Sequence, residues 1–542
     1  ELQGIDIVED SVRKYIDDAS MGPILGYTGQ ASSEELEELR QKNPDYSNDA
    51  IIGKSGIEKY METSLQGTDG EETVTVDNLG KVLKIDDSTR VEPVAGNDTY
   101  LTIDSSWQSA IYQILKQRVA GILLSKIEAS KTYDFSVNDA AQIKIPIYDV
   151  YNALIANSVI DISKFSDANA SDTEKKLYAK FQQKQQQVFD TITNRQIQEY
   201  LTYICDDLLR DTLGIISKNA IDTSDSTYQK WTTDKDISLK DYLTYAASQN
   251  WIDISKFSTE GDYLDSDEVY QALTDYLIDY LKTDINFSKL LYKYMLQEDT
   301  ISGSEICLVL YEQGVLSKDD GSYEALASGS MTAYDFMINK IYTLEIEPAQ
   351  LALEPCSASA VITDVKTGDV LACVSYPGYD NNRLVNNMDT DYYAKLSTDK
   401  SSPFFNKATQ QTAAPGSTFK ILSTIAGMSE GVIDDGTYIN CTGSFDLVTP
   451  PINCWNKQGH GEIEIREAIE QSCNYYFNMI GFKLGQDADG NFSENRSLSV
   501  LQKYASEIGL DKKTGIEITE SAPHVSDSYA VPSYIGQGTN AY

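Results

Sequence analysis

The stretch Ala414-Pro415-Gly416-Ser417-Thr418-Phe419-Lys420 decides how the rest of this 542-residue sequence is interpreted. Its Pro-Gly pair interrupts the preceding segment, and a helix is predicted to follow and to end near Gly431. Ser417 and Lys420 are three residues apart, so they share one face of that helix. Four apolar residues at helical spacing predict its buried stripe: Ile421, Leu422, Ile425 and Met428.

A serine three residues before a lysine has a definite chemical meaning. The hydroxyl is a poor nucleophile at neutral pH and needs a base within hydrogen-bond reach. Lysine can be that base once burial lowers its pKa, and the first turn of a helix favours negative charge developing on the hydroxyl oxygen. The pair alone is weak evidence, because the spacing recurs by chance and Lys420 can equally be an exposed residue near a helix N-terminus.

A second polar pattern, Ser472-Cys473-Asn474, follows 55 residues after Ser417. Apolar spacing predicts one helix before this turn and another after it, beginning near Tyr476. In such a turn Ser472 would relay a proton, and Asn474 would hold Lys420 and a substrate amide. The alternative is an ordinary helix cap, since Ser and Asn are common cap residues.

The charge and the histidine count exclude several classes of function. The chain has 83 acidic and 44 basic side chains, a net charge of −39, which argues against a nucleic-acid partner. Its two histidines, His460 and His524, leave little room for Ser-His-Asp or histidine-rich zinc chemistry. The length predicts two to four domains.

The seven cysteines predict no metal site, because no Cys-x-x-Cys pair occurs among them. Cys441 and Cys454 are close enough in sequence to form a disulfide, which stays open at this point. Cys473 is interpreted as buried packing, and His460, between two glycines, as a turn residue.

Residues from about 130 to 340 are predicted to be mostly helical and contain an internal repeat. The segment from Asn157 to Phe165 returns, after 92 residues, as the segment from Gln249 to Phe257. Each copy follows one apolar helical stretch and precedes another, which indicates duplicated helical units.

The two polar motifs, in this order and at this spacing, resemble the penicillin-binding serine-transferase family. Further segments extend the resemblance over residues 1 to about 127 and 341 to 542, while the repeat region looks like an insertion without an implied function. Those similar to the transpeptidase domain are Leu101–Asp104, Val361–Gly368, Ser375–Pro377, Thr514–Ile516 and Ile535–Gly538. Those similar to the N-terminal pedestal of class B members are Gly26–Gly29 and Ile52–Glu58.

The resemblance implies a fold and a domain order. We expect an α/β (α+β) penicillin-binding transpeptidase fold, with an antiparallel sheet between helices, a mixed pedestal and an all-α insertion. The expected domains are the pedestal (1–95), the start of the transpeptidase domain (96–128), the helical repeat insertion (129–340) and the rest of the transpeptidase domain (341–542).

The resemblance also implies a reaction. Ser417 would attack the penultimate D-alanine carbonyl of a peptidoglycan stem peptide, with Lys420 as base and Ser472 as proton donor to the leaving amine, as in a D,D-transpeptidase or carboxypeptidase. Gly416, Thr418 and Cys473 would contact substrate. β-Lactams would acylate Ser417, cell-wall synthesis proteins would be partners, and no cofactor would be needed. A β-lactamase-type hydrolase and a non-catalytic β-lactam sensor or scaffold are the alternatives.

Two expectations concern segments beyond the chain. The third family motif, Lys-Thr/Ser-Gly, is expected past Gly538, with a strand that gives the second oxyanion donor beside the N–H of Ser417. The triplets Lys366–Gly368 and Lys513–Gly515 are interpreted instead as a hairpin turn and a loop. Both chain ends look cut, and an N-terminal anchor outside this sequence would hold the protein at the extracytoplasmic face of the bacterial membrane.

Overall fold

The computed structural model describes residues 12–16, 19–78, 82–137, 142–192, 199–257 and 265–542. The chain forms two compact units. The first comprises Glu1–Tyr112, Ser359–Leu396 and Pro403–Tyr542, and the second comprises Gln113–Ala358 with Ser397–Ser402. The finer division into four domains stays a prediction.

The N-terminal part of the first unit is a set of short elements around a small apolar core. Strands β1 and β2 pair antiparallel with Gly29 opposite Ile52, and a capping box of Ser32 and Glu35 starts α2. The core consists of Leu36, Tyr46, Ala50 and Ile52. The elements are α1 (Gly22–Leu25), β1 (Thr28–Gln30), α2 (Ser33–Arg40), β2 (Ile51–Gly53), α3 (Gly56–Tyr60), α4 (Glu62–Leu65), β3 (Glu71–Val76) and β4 (Val82–Val91).

The first described residues hydrogen-bond to a segment that lies more than 360 residues later in the chain. The Asn382 side chain accepts from the Tyr15 backbone N–H at 2.8 Å and donates to its carbonyl at 3.0 Å. Asn386 makes the same pair of bonds with the backbone of Arg13, at 3.0 and 2.8 Å. Tyr15 also donates to the buried carboxylate of Glu58 at 2.9 Å. These bonds hold the N-terminal elements and the later segment in one unit.

The second unit is almost entirely helical, which confirms the helical prediction for residues 130–340. One large apolar cluster fills it. Helix α5, which is shared with the first unit, begins after Asp104, whose side chain accepts from the backbone of Ser106 and Trp107. The elements are α5 (Ser105–Lys126), β5 (Ile127–Glu128), β6 (Ile145–Pro146), α6 (Ile147–Ala156), α7 (Asp172–Thr191), α8 (Glu199–Thr202), α9 (Ser226–Gln229), α10 (Leu239–Ser248), α11 (Ser266–Leu281), α12 (Ile285–Gln297), α13 (Gly303–Glu312), α14 (Ser322–Ala327), α15 (Ala333–Tyr342) and α16 (Pro348–Leu351).

The 92-residue repeat has the same local structure in both copies. In each copy a left-handed residue lies two positions after the last residue of the helix. It is Ser158 after α6, with φ 55°, and Asn250 after α10, with φ 58°. A buried isoleucine follows two residues later, and then Asp161 or Asp253 caps a short 3-10 turn. The sequence analysis missed further uses of this connector, in which a left-handed residue is followed two positions later by an aliphatic or methionine side chain that lies in the apolar cluster or packs against it. Among the described residues of the second unit, their left-handed residues are Gly214, Lys235, Asp299, Gly314, Gly329 and Leu344.

The remainder of the first unit contains the polar motifs. Leu422, Ala426, Phe477, Ile480 and Leu501 lie in its apolar core. As predicted, two strands surround a turn at Lys366–Gly368, and among the described residues they form a two-stranded sheet. The elements are β7 (Ala358–Thr363), β8 (Val370–Tyr376), α17 (Thr390–Thr398), α18 (Lys407–Gln410), α19 (Lys420–Ser429), β9 (Ile439–Cys441), β10 (Ser444–Phe445), β11 (Ile452–Asn453), β12 (Gly461–Ile463), α20 (Ile465–Glu470), α21 (Asn474–Leu484), α22 (Glu494–Glu507) and α23 (Ala530–Ser533).

The predicted buried stripe of α19 is wrong for three of its four residues. Ile421, Ile425 and Met428 are each more than 40% exposed, at 54%, 44% and 43%. Leu422 is buried as predicted, and the rest of the buried face consists of residues outside the predicted stripe: Lys420, Ser423, Ala426 and Gly427. The helix is rotated about its axis relative to the prediction because it buries the Lys420 amine, which a hydropathy pattern places on the solvent side.

Among the described residues, no helix combines the length and the apolar character that crossing a bilayer requires.

Candidate functional site

Ser417 lies in a 3-10 turn, Gly416–Phe419, that runs directly into α19. A 3-10 turn has three residues per turn, so the side chains of residues 417 and 420 project from the same side. The preceding Gly416 has φ 60° and donates its N–H to the carbonyl of Gly536 at 3.0 Å. A side chain at Gly536 is excluded, because its Cβ would lie 2.0 Å from the Gly416 oxygen. The segment around Gly536 therefore packs directly on the turn that carries Ser417.

The amine of Lys420 is buried and fully hydrogen-bonded. It donates to the Ser472 carbonyl at 2.8 Å, to the Ser472 hydroxyl at 2.9 Å and to the Asn474 side-chain oxygen at 2.8 Å. The centroid of the Phe477 ring lies 5.4 Å from the Lys420 amine nitrogen. Burial lowers the pKa of Lys420 to about 8, against a smaller opposing effect of the Cys473 and Cys454 thiols. A measurable fraction of this lysine is therefore neutral near pH 7.

Ser472 connects Lys420 to the nucleophile candidate. Its hydroxyl donates to the hydroxyl of Ser417 at 2.8 Å while it accepts from Lys420. As predicted, a helix ends before this residue and another begins after it, α20 at Glu470 and α21 at Asn474. Ser472 itself has φ 49°, a left-handed conformation that is unfavourable for a residue with a side chain.

The four residues singled out as catalytic in the sequence thus form one hydrogen-bonded chain. The sequence analysis placed Lys420 next to Ser417, whereas here the Ser472 hydroxyl bonds to both. Ser417 is exposed and Lys420 is buried, so one end of the chain faces solvent and the other does not. This arrangement can move a proton between an accessible hydroxyl and a desolvated amine.

The three residues predicted to contact substrate are placed differently from one another. Thr418 is exposed, and its hydroxyl donates to the carbonyl of Pro415 at 2.7 Å. Gly416 is half-buried beside Gly536. Cys473 is fully buried, so its side chain cannot be a substrate contact, and that prediction is corrected.

Both Lys-Thr-Gly triplets lie outside strands, in agreement with their interpretation as turn and loop. Lys366–Gly368 is in the turn between β7 and β8. In the second triplet the Thr514 hydroxyl and the Gly515 N–H donate to the carboxylate of Glu520, at 2.8 and 2.9 Å.

Behind the Ser472 turn lies a cluster that the sequence analysis missed. The three thiol sulfurs and one imidazole nitrogen of Cys441, Cys454, His460 and Cys473 all lie within 4.8 Å of one another. Cys441 ends β9 and Cys454 follows β11. His460 precedes β12, and Cys473 caps α21.

Backbone contacts bring these four residues together. The pairing of β9 with β12 sets Cys441 opposite Gly461, beside His460, and the N–H of Cys454 donates to the Gly443 carbonyl at 2.9 Å. At residue 459, φ is 82° and a Cβ would lie 2.2 Å from the Cys441 oxygen, so only glycine fits.

The donor set fits a tetrahedral zinc ion. His460 Nδ1 lies 3.5 Å from the sulfur of Cys441 and 3.7 Å from that of Cys454. Zinc bonded to sulfur and nitrogen at its usual distances separates the two ligand atoms by about 3.6 Å. Cys441 and Cys454 are free thiols, so the disulfide left open above is not formed. The sequence analysis did not find this cluster, because its four residues come from separate elements and form no Cys-x-x-Cys pair.

Comparison with known proteins gives two family matches. Residues 358–541 match the family described as penicillin binding protein transpeptidase domain, and residues 1–101 match the penicillin-binding protein dimerisation domain. The helical repeats lie between the two matches.

Curated relatives align over part of the chain. The peptidoglycan D,D-transpeptidase MrdA of Haemophilus influenzae is 32% identical over 170 residues, 31% of this chain and 24% of the relative. MrdA of Escherichia coli K12 is 31% identical over 30% of this chain and 24% of its own length. PbpA of Mycobacterium tuberculosis is 29% identical over 31% of this chain and 34% of its own length. The chain therefore matches between a quarter and a third of these relatives.

Among solved structures, Pseudomonas aeruginosa PBP2 in complex with WCK 5153 is 25% identical, with coverage of 37% of this chain and 47% of that one. Its TM-score is 0.31. The two domain matches and the MrdA relatives show the family: the chain belongs to the class B penicillin-binding proteins.

Proposed function

We propose that this protein is a peptidoglycan D,D-transpeptidase that works through an acyl-enzyme on Ser417. The observation that carries the proposal is the chain of hydrogen bonds from Ser417 through Ser472 to Lys420, with Asn474 holding the amine. The curated relatives, whose printed names are peptidoglycan D,D-transpeptidase, supply the substrate class.

The proton route follows from the order of the hydrogen bonds. When Lys420 is neutral, the hydrogen bonds reverse, and Ser417 donates to Ser472, which donates to Lys420. As the Ser417 oxygen forms a bond to the D-alanine carbonyl carbon, its proton passes to Ser472 and the Ser472 proton passes to Lys420. The charged Lys420 then returns a proton through Ser472 to the amine of the departing terminal D-alanine, as the C–N bond breaks. An amine of a second stem peptide takes the acyl group by the reverse path.

The same chemistry makes β-lactams acylating inhibitors, because their strained amide carbonyl would take the position of the substrate carbonyl. The backbone N–H of Ser417, at the start of the helical turn, would stabilise the oxyanion. Cell-wall synthesis proteins as partners, and a place at the extracytoplasmic face of the membrane, are proposed on the family membership alone.

The test is covalent labelling of the intact protein with a fluorescent penicillin, with peptide mapping of the adduct. We expect one adduct on Ser417, which Ser417→Ala abolishes. The matched control is Ser429→Ala, which removes an exposed hydroxyl from the last turn of α19. Release of the adduct within seconds would favour the hydrolase, and absence of an adduct, or its persistence in Ser417→Ala, would favour the sensor or scaffold.

A further inference from the structure

A short turn of the chain, Ser397–Ser402, belongs to the second unit although the residues on both sides of it belong to the first unit. The turn closes on Asp399, whose carboxylate accepts from the backbone N–H and the hydroxyl of Ser401 at 2.8 and 2.7 Å. Ser402 donates its N–H to the Asp399 carbonyl at 2.9 Å and has a left-handed φ of 52°. A residue with a side chain keeps this conformation only when its surroundings impose it. The shape of the turn therefore depends on the groups to which it is bonded.

Asn157, the first residue after helix α6, holds this turn. Its side-chain amide donates to the Asp399 carboxylate at 3.0 Å, and its side-chain oxygen accepts from the backbone N–H of Lys400 at 2.9 Å. The same amide donates to the carbonyls of Ala349 and Gln350, at 3.3 and 3.0 Å. Because Asn157 is buried, the loss of its side chain would leave these partners without a bond that water readily replaces.

This use of Asn157 is specific to one copy of the 92-residue repeat. The equivalent residue of the other copy is Gln249, which is exposed and donates to the hydroxyl of its neighbour Ser248 at 3.3 Å. The two connectors share one backbone conformation, with a left-handed residue directly after this position. The connector itself therefore does not require a buried amide here, and the Asn157 side chain serves the turn at Asp399.

The turn lies directly upstream of the segment that carries the nucleophile, since Asp399 precedes Ser417 by 18 residues. Four residues after the turn, 403–406, lead into the short helix α18. The first residue of this helix is bonded to strand β8, because the Lys407 N–H donates to the Ser375 hydroxyl at 3.0 Å. The turn and this bond together set where α18 begins.

Packing does little to hold the chain between α18 and Ser417, because residues 411–414 are exposed. Ala413, near the downstream end of this stretch, exchanges two backbone hydrogen bonds with Tyr542, at 2.9 and 3.0 Å. The position of Ser417 therefore depends on how both ends of the stretch are anchored, and α18 is the upstream anchor. A loosened Asp399 turn leaves α18 less firmly placed.

We propose that Asn157 is a positioning residue for acyl transfer: by holding the Asp399 turn, it fixes the upstream end of the segment that carries Ser417. The helical repeats thereby serve the reaction, although their sequence implies no function of its own. This inference rests on the proposed function for its effect on acylation, whereas the hold on the turn is a property of the second unit and is measured separately.

The experiment breaks the hold from either side in the intact protein. Asn157→Ala removes the amide, Asp399→Ala removes the carboxylate, and the double variant removes both. Two controls are used: Gln249→Ala alters the equivalent exposed residue of the other repeat copy, and Gly314→Ala strains another connector of the same unit, where a Cβ meets no atom within 4 Å. Three quantities are measured below the unfolding temperature: hydrogen exchange at residues 397–402, the dissociation constant of a β-lactam and the rate constant of acylation.

We expect Asn157→Ala and Asp399→Ala each to speed exchange in the turn about tenfold or more and to lower the acylation rate constant about tenfold, while the β-lactam dissociation constant changes less than about twofold. The double variant should be acylated no more slowly than the slower single variant, because both substitutions break one link. Both controls should be acylated at the wild-type rate.

Three results would overturn the inference. The first is a turn that exchanges faster in both single variants while acylation keeps its wild-type rate. The second is unchanged exchange of the turn in Asn157→Ala, and the third is a Gly314→Ala protein that is acylated as slowly as Asn157→Ala, which would make the stability of the whole unit responsible. Failure of the proposed function looks different, because the wild type would then form no adduct on Ser417 while exchange of the turn still responded to Asn157→Ala.

Discussion

Lys420 donates to both the hydroxyl and the carbonyl of Ser472, at 2.9 and 2.8 Å. This double contact makes Ser472 the group that fixes the amine, and it leaves the Ser472 hydroxyl as the bridge to the nucleophile. A proton leaving Ser417 therefore has a two-step path, first to Ser472 and then to Lys420.

Replacement of Ser472 by alanine should break the path in the middle. We expect Ser472→Ala to lower the acylation rate constant for a β-lactam by about 10²- to 10⁴-fold, the usual contribution of a positioned proton-transfer group. The β-lactam dissociation constant should change little, because the Ser417 turn is retained. Stopped-flow labelling separates the two quantities. A Ser472→Ala protein that is acylated at the wild-type rate would show that the proton takes another route.

The pH dependence of acylation should report the pKa of Lys420, about 8. The neutral amine is the reactive form, so the rate constant should rise roughly tenfold per pH unit below pH 8 and level off above it. The measurement is the acylation rate constant at constant ionic strength from about pH 5.5 to about pH 9.5, a range that extends to both sides of the Lys420 pKa of about 8. Lys420→Gln should remove the rising limb together with most of the rate. A flat profile in the wild type would contradict Lys420 as the base.

The site was predictable where chemistry is local in sequence. Ser417 with Lys420, and Ser472 with Asn474, follow from helical spacing and from a turn between two helices. The order of hydrogen bonds was not predictable, because it depends on the left-handed φ of Ser472 and on the three donors of one buried amine.

The predictions that were wrong or incomplete have separate physical causes. Hydropathy placed Lys420 at the surface, so the buried stripe of α19 was rotated. The cysteine cluster was missed because its ligands meet only through strand pairing and close backbone approach, which sequence spacing does not report. The repeat was recognised only in the two segments that share amino-acid residues. The same connector recurs as a backbone conformation at other positions, among them the left-handed residues Asp299, Gly314, Gly329 and Leu344.

Asn382 should hold the N-terminal segment against the rest of its unit. Its amide exchanges two hydrogen bonds with the backbone of Tyr15, so Asn382→Ala leaves a backbone donor and acceptor without their partner. We expect a loss of about 1–3 kcal/mol, seen as faster hydrogen exchange at residues 12–16. Asn495→Ala, on the exposed face of α22, is the control. Equal exchange in both variants would mean that the segment is held elsewhere, for instance through Glu58.

The helical connectors allow a test in which matched substitutions have opposite signs. Lys235 and Gly314 occupy the same left-handed position after a helical turn, with φ of 51° and 71°. The side chain of Lys235 is exposed. A side chain is disfavoured at this backbone conformation and glycine is not, so Lys235→Gly should raise the free energy of unfolding of the second unit, and Gly314→Ala should lower it, each by about 1 kcal/mol. No atom lies within 4 Å of a Cβ built on Gly314, so the effect there is conformational and not steric. Urea unfolding followed by tyrosine fluorescence measures both changes. Two changes of the same sign would show that side-chain contacts, and not backbone conformation, decide the stability of these connectors.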